Sequence, residues 1–201
     1  EGRNLRVSQQ GLHALALGHR VAFFEVFGGI SGMTLGVRAQ GLVAPGGLDT
    51  LFPMGGRHWN LRLPADQSRC QTLIDTVDPL VLHMAPPLSA LEPSADQRQR
   101  APGSIKPGYH ERAVEDAEGL ARWSVVQIER REQRKAEGSL EAISASRAWS
   151  LDSVKRCFGT ASAPSQGRWF VIPKLCRSER AQPGDAIFWQ RQVQFAATYP
   201  E

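Results

Sequence analysis

Apolar positions along this chain fall in short runs, punctuated by glycine and proline. Val21 to Phe27 is almost unbroken apolar, with Glu25 inside it, and ends in Gly28-Gly29. A run of that length bounded by glycines predicts a buried strand over 21–27. Met33, Leu35 and Val37 then recur among small residues, which predicts a helix over 33–39 stopping near Gly41. Before the strand, Leu12, Leu15 and Leu17 predict a short helix over 9–17, closed by Gly18. After it, Leu42-Val43-Ala44 predicts a second short strand, broken by Pro45, Gly46 and Gly47.

The same pattern continues downstream. Residues 53–64 carry Pro53, Gly55, Gly56 and Pro64 and read as irregular. Cys70, Leu73, Ile74 and Val77 share one side of a helix over 65–76. Pro79 to Met84 is continuously apolar except for His83, the pattern of a parallel strand buried on both faces. Residues 90–110 read as a loop. Val114, Ala117, Ala121, Val125 and Ile128 then give the longest helical stripe, over 111–137, with a possible bend at Gly119. A strand over 138–143 follows, then a helix from Leu151 to Arg156 with Ser150 as N-cap. Two further strands are expected at 168–172 and 186–190.

Strand and helix alternate up to about residue 156. That order predicts an α/β fold: a doubly wound, Rossmann-like, mostly parallel sheet with helices on both faces. Residues 1–160 make up this domain, and 161–201 form a C-terminal extension packed on it or extending it.

Composition narrows the function. The chain has 201 residues, 41% of them hydrophobic, and no stretch near the ~20 apolar residues of a membrane span. It begins with Glu1 rather than Met, which suggests a piece of a longer polypeptide. Cys70, Cys157 and Cys176 are far apart, so neither a disulfide framework nor a cysteine zinc knuckle is expected. A reducing compartment, nucleus or cytoplasm, is the default. The formal charge of +4 mildly favours an anionic partner, DNA or RNA. The charges of 129–135 alternate in sign and suit a solvated helix face better than a nucleic-acid patch. The five histidines show no metal-ligand spacing, and His83 reads as a satisfied core histidine. The tryptophans read as packing residues, with Trp59 a second option for stacking on an adenine ring.

The candidate chemistry starts at the glycines. Strand, glycine turn and helix together form the layout of a nucleotide-type cofactor loop. Glycine lets a ligand approach the backbone, and the helix start offers N–H groups to it. An ordinary ligand-free turn reads equally from the glycines alone. Asp49 lies ~20 residues further on, where this layout places a ribose-binding acid; capping a turn is its other reading.

The stretch Phe27-Gly28-Gly29-Ile30-Ser31-Gly32-Met33-Thr34-Leu35-Gly36 resembles the first motif of DNA cytosine-5 methyltransferases, which holds S-adenosylmethionine (SAM). Glu25, Phe27, Gly29, Gly32, Leu35 and Gly36 match it, and Ser31 stands where the family usually has glycine. The resemblance continues at Pro86-Pro87, similar to the family's strand ending in Pro-Cys. There Leu88 occupies the position of the nucleophilic cysteine. Ser139 to Ile143 resembles the Glu-Asn-Val strand: Glu141 matches the glutamate that contacts the target cytosine, and Ala142 replaces the asparagine.

The resemblance spans roughly residues 20–160 and implies a SAM-binding domain whose covalent route is lost. Its expected cofactor contacts are Glu25, Phe27, Gly29, Ser31, Gly32, Asp49 and Pro86, and its expected catalytic residue is Glu141. An active methyltransferase on another substrate and a non-enzymatic α/β interaction module are the alternatives.

Overall fold

The computed structural model describes residues 21–29, 31–50, 58–92, 109–143, 145–160, 163–164, 168–171 and 193–198. The fold is α/β. Strand β1 (Phe23–Val26) leads to helix α1 (Gly32–Ala39), and α2 (Pro64–Val77) leads to β2 (Val81–Met84). A short 3-10 turn at Ser89–Leu91 precedes the long helix α3 (Tyr109–Gln133), which feeds β3 (Glu137–Ile143). A second 3-10 turn, Arg147–Ser150, precedes α4 (Asp152–Phe158). Then come β4 (Gly159–Thr160) and β5 (Ala163–Pro164), a small two-stranded pair, followed by β6 (Arg168–Val171) and β7 (Val193–Thr198).

The main sheet has the order β1-β2-β3-β7-β6. β1, β2 and β3 are parallel, in a register that places Glu25 beside His83 and His83 beside Ser139. β7 runs antiparallel to both β3 and β6. Antiparallel edge strands on a parallel sheet are a common arrangement in α/β proteins.

The chain also runs along the free flank of β1. Ala22 N–H donates to the Val43 carbonyl at 2.8 Å, Leu48 N–H to the Glu25 carbonyl at 2.9 Å, and Phe27 N–H to the Leu48 carbonyl at 2.6 Å. Val26 and Leu48 form an isolated parallel bridge. The second strand expected at 42–44 is thus an extended segment tied to β1 at Val43 and Leu48. The chain leaves β1 through α1 to one flank, then returns through α2 to the opposite flank as β2. A crevice opens where such a reversal occurs, at the C-terminal ends of the strands.

Strand pleating sorts the side chains. Phe24, Val26, Leu82, Met84 and Leu140 lie in one core with Cys70, Ile74 and Val77 of α2 and Leu120, Val125 and Ile128 of α3. Gly138 lies so close under α3 that an added Cβ would fall 2.6 Å from Ile128 Cγ2. The alternate residues Phe23, Glu25, His83, Ser139 and Glu141 share the other sheet face. Helix α1 meets that face through Thr34, its buried residue, while Met33 and Leu35 are exposed. The apolar stripe expected from Met33 and Leu35 is therefore not what docks this helix.

Some local expectations shift by a residue or two. α3 runs continuously through Gly119 and ends at Gln133. Ser150 does not cap α4: its hydroxyl donates to the Arg147 carbonyl at 2.7 Å, and Leu151 occupies the cap position. The expected helix at 9–17, most of the loop at 90–110 and the expected strand at 186–190 lie outside the described residues. β7 had no counterpart in the sequence reading. No helix among the described residues is long and apolar enough to cross a membrane.

Candidate cofactor crevice

The glycine turn is built from residues in unusual conformations. Phe27 has φ 64°, Gly29 φ 53° and Ser31 φ 57°, all in the left-handed region. For Phe27 and Ser31 this costs roughly 1–2 kcal/mol each, so neighbouring bonds must hold the turn. They do. Ser31 N–H donates to the Gly28 carbonyl at 2.7 Å, and Gly29 N–H donates to Asp49 Oδ2 at 2.9 Å. The Ser31 hydroxyl rests against Gly47, where a Cβ would lie 3.1 Å from it.

Glu25 lies beneath the loop and is buried. Its Oε2 accepts from Thr34 N–H at 3.2 Å and from Thr34 Oγ1 at 2.8 Å. A Cβ on Gly28 would sit 2.8 Å from Glu25 Cδ, so any larger residue there would displace the Glu25 carboxylate. On the outer side the loop is open: a Cβ on Gly29 or Gly32 would meet nothing within 4 Å. Glu25 therefore anchors the turn to α1 from below, and Asp49 anchors it from the flank.

The crevice has a volume of about 510 Å³ and is lined by Phe27, Asp49, Thr50, Asn60, Leu61, Arg62, Ala85, Pro87 and Leu120. Small-molecule sites fall at roughly 300–1,000 Å³. Its floor is aromatic and aliphatic. Phe27 is buried and meets Trp123 edge-on at 6.2 Å. Its polar lining residues are Asp49, Thr50, Asn60 and Arg62. Asp66 Oδ2 accepts the Asn60 N–H at 2.8 Å and fixes that loop, while Arg62 pairs with Asp116 at 3.3 Å.

Of the residues singled out in the sequence, Phe27 and Asp49 line this crevice. Gly29, Ser31 and Gly32 form the turn next to Phe27, and Glu25 supports it from within. Pro86 is buried beside the lining residues Ala85 and Pro87. Glu141 follows Leu140, the partner of Met84, and so lies level with Ala85 at the end of β2. Leu88 is buried in an apolar cluster with Leu91, Ala117, Ala121, Ala142 and Ala148. Packing, not chemistry, fills the position that matches the family's nucleophile. Ala142, which replaces the family's asparagine, lies in the same cluster.

Asn60, Leu61 and Arg62 were missed because a stretch bounded by Gly56 and Pro64 carries no periodic signal. His83 is fully buried, as expected of a core histidine, but its polar partners are across-strand neighbours. Trp59 is buried in the main core rather than lining the crevice. Among the described residues no group of three or more His, Cys, Asp or Glu side chains is arranged to hold a metal. Several basic side chains in and just after α3 are engaged: Arg122 with Glu118, Arg130 and Arg134 with Asp75, and Arg131 with Asp78.

The chain matches no protein-family model, no curated protein and no solved structure.

Proposed function

We propose that this chain is a doubly wound, SAM-dependent methyltransferase-like domain, similar to DNA cytosine-5 methyltransferases, with the covalent step lost. The observation that carries this reading is spatial. The three stretches that resemble the family end at neighbouring positions: the glycine turn after β1, Pro86-Pro87 after β2 and Glu141 in β3. These strands are adjacent, parallel and in that order. The crevice is lined by Phe27 after β1 and by Ala85 and Pro87 after β2, and Glu141 of β3 lies level with Ala85.

The residues present suit an adenosyl group. Phe27, Leu61, Ala85 and Leu120 give apolar walls for a ring system, and Asp49 is a buried acid able to accept from sugar hydroxyls. The open faces of Gly29 and Gly32 leave space that a side chain would fill. When bound, SAM supplies a methyl group on a sulfonium. In the chain itself, Leu88 has no lone pair to attack a base and is enclosed by alanines and Leu91. Binding without methylation at cytosine carbon follows. The net charge of +4 adds DNA or RNA as the anionic partner in this reading, inside the nucleus or cytoplasm.

Calorimetry with SAM tests the proposal. Heat that saturates in the micromolar to millimolar range is expected. Asp49→Ala should weaken binding by about tenfold, or 1.4 kcal/mol. Absence of heat at millimolar cofactor overturns the reading.

A further inference from the structure

The face of the sheet away from α2 and α3 carries a polar chain of which the cofactor reading uses only Glu141. His83 Nδ1 lies 2.8 Å from Ser139 Oγ, and Nε2 lies 3.2 Å from Glu141 Oε2. His83 is fully buried, while the Glu141 side chain is 30% exposed. The ring stacks on Phe23 at 6.0 Å with 21° between planes, which fixes its tilt. The register explains the meeting. His83 pairs with Ser139, and Glu141 lies two residues further along β3 on the same face. Glu25 is the β1 neighbour of His83 in that row, and its carboxylate is turned to Thr34.

A carboxylate only accepts hydrogen bonds, so the Nε2 position facing Glu141 carries the proton. In a neutral ring Nδ1 is then the acceptor, and the Ser139 hydroxyl donates to it. The chain has one direction: Ser139 O–H to Nδ1, then Nε2–H to Glu141.

We infer that His83 is a positioning residue for Glu141: its imidazole, braced by Ser139 and Phe23, holds that carboxylate in one orientation level with the crevice wall at Ala85. The exposed part of Glu141 is thereby presented to a hydrogen-bond donor on whatever occupies the adjoining space. The part that Glu141 plays at the crevice rests on the methyltransferase-like reading; the hydrogen-bond chain does not.

Nitrogen-15 NMR of the histidine rings in the full chain tests this. Wild type should show a protonated Nε2 and an unprotonated Nδ1 at His83, with slow exchange of the Nε2 proton. Glu141→Gln should speed that exchange by about tenfold, the loss expected for a charge-assisted bond. Ser139→Ala should shift the Nδ1 resonance, and Ser139→Thr, which keeps the hydroxyl, should restore it. His83→Phe, which preserves the stack on Phe23, should alter the Glu141 carboxyl carbon resonance. A His83 ring spectrum indifferent to both Glu141→Gln and Ser139→Ala overturns the inference. A failed cofactor titration leaves these spectra unchanged, so the two claims fail separately.

Discussion

Glu25 shows how a single side chain can fix a loop. It is a buried carboxylate inside an apolar strand, and its counterpart is Thr34 rather than a cation. Removing the hydroxyl leaves one acceptor oxygen with less compensation. Thr34→Val should therefore destabilise the fold by about 1.5–3 kcal/mol, measured by denaturant unfolding, despite conserving shape. Cys70 offers a test through pH. Burial, with a smaller contribution from Asp66, pushes its thiol up from 9.0 to about 12. The folded state thus keeps its proton where the unfolded chain loses it. This contribution is complete below about pH 9 and is lost as pH rises from there towards 12. Between those limits stability should fall by about 1.4 kcal/mol per pH unit from this group alone. Comparing the pH slopes of wild type and Cys70→Ala between pH 9 and 10.5 checks it, and the variant's slope should be shallower.

Elements were more legible than their neighbours. β1, β2, β3 and the helices between them could be read because apolar runs and helical stripes are local signals. The pairing of Leu48 with Val26 could not, since that extended segment lies between glycines and has no alternation. β7, Val-Gln-Phe-Ala-Ala-Thr, was missed because only Val193, Phe195 and Thr198 carry strand character and the Ala196-Ala197 pair breaks the alternation. Leu88 is the case where the sequence posed a question and packing answered it. Its cluster joins the 3-10 turn after β2 to α3 and β3, so it serves to hold elements together. Leu88→Ala should cost about 2–5 kcal/mol in unfolding experiments. Leu88→Cys should restore no covalent capture of a cytosine analogue in duplex DNA, because the thiol would sit among Ala117, Ala121 and Ala142. A stable adduct would show that the cluster opens.

For the whole molecule, the charge suggested a polyanion, but structure qualifies how that charge is spent. Arg130 and Arg131 of α3, and Arg134 just beyond it, meet Asp75 and Asp78 at the end of α2. These pairs tie α3 to α2 instead of presenting a basic stripe. The crevice was legible only in part. Phe27 and Asp49 came from motif spacing, whereas Asn60, Leu61 and Arg62 arrive from a stretch whose only sequence mark is its proline and glycine.

The reversal about β1 has a mechanical consequence. Residues 43–50 run along one flank of that strand and β2 lies on the other, so the two arms of the chain face each other across the crevice through Asp49 and Thr50 on one and Ala85 and Pro87 on the other. A guest lodged there touches both arms at once and acts as a rivet. Anything that binds the folded chain and not the unfolded one adds stability by mass action, about 2.7 kcal/mol at a hundred times its dissociation constant. Thermal unfolding with SAM at that excess should move upward by several degrees. Asp49→Ala, which releases one arm from the turn, should blunt the gain.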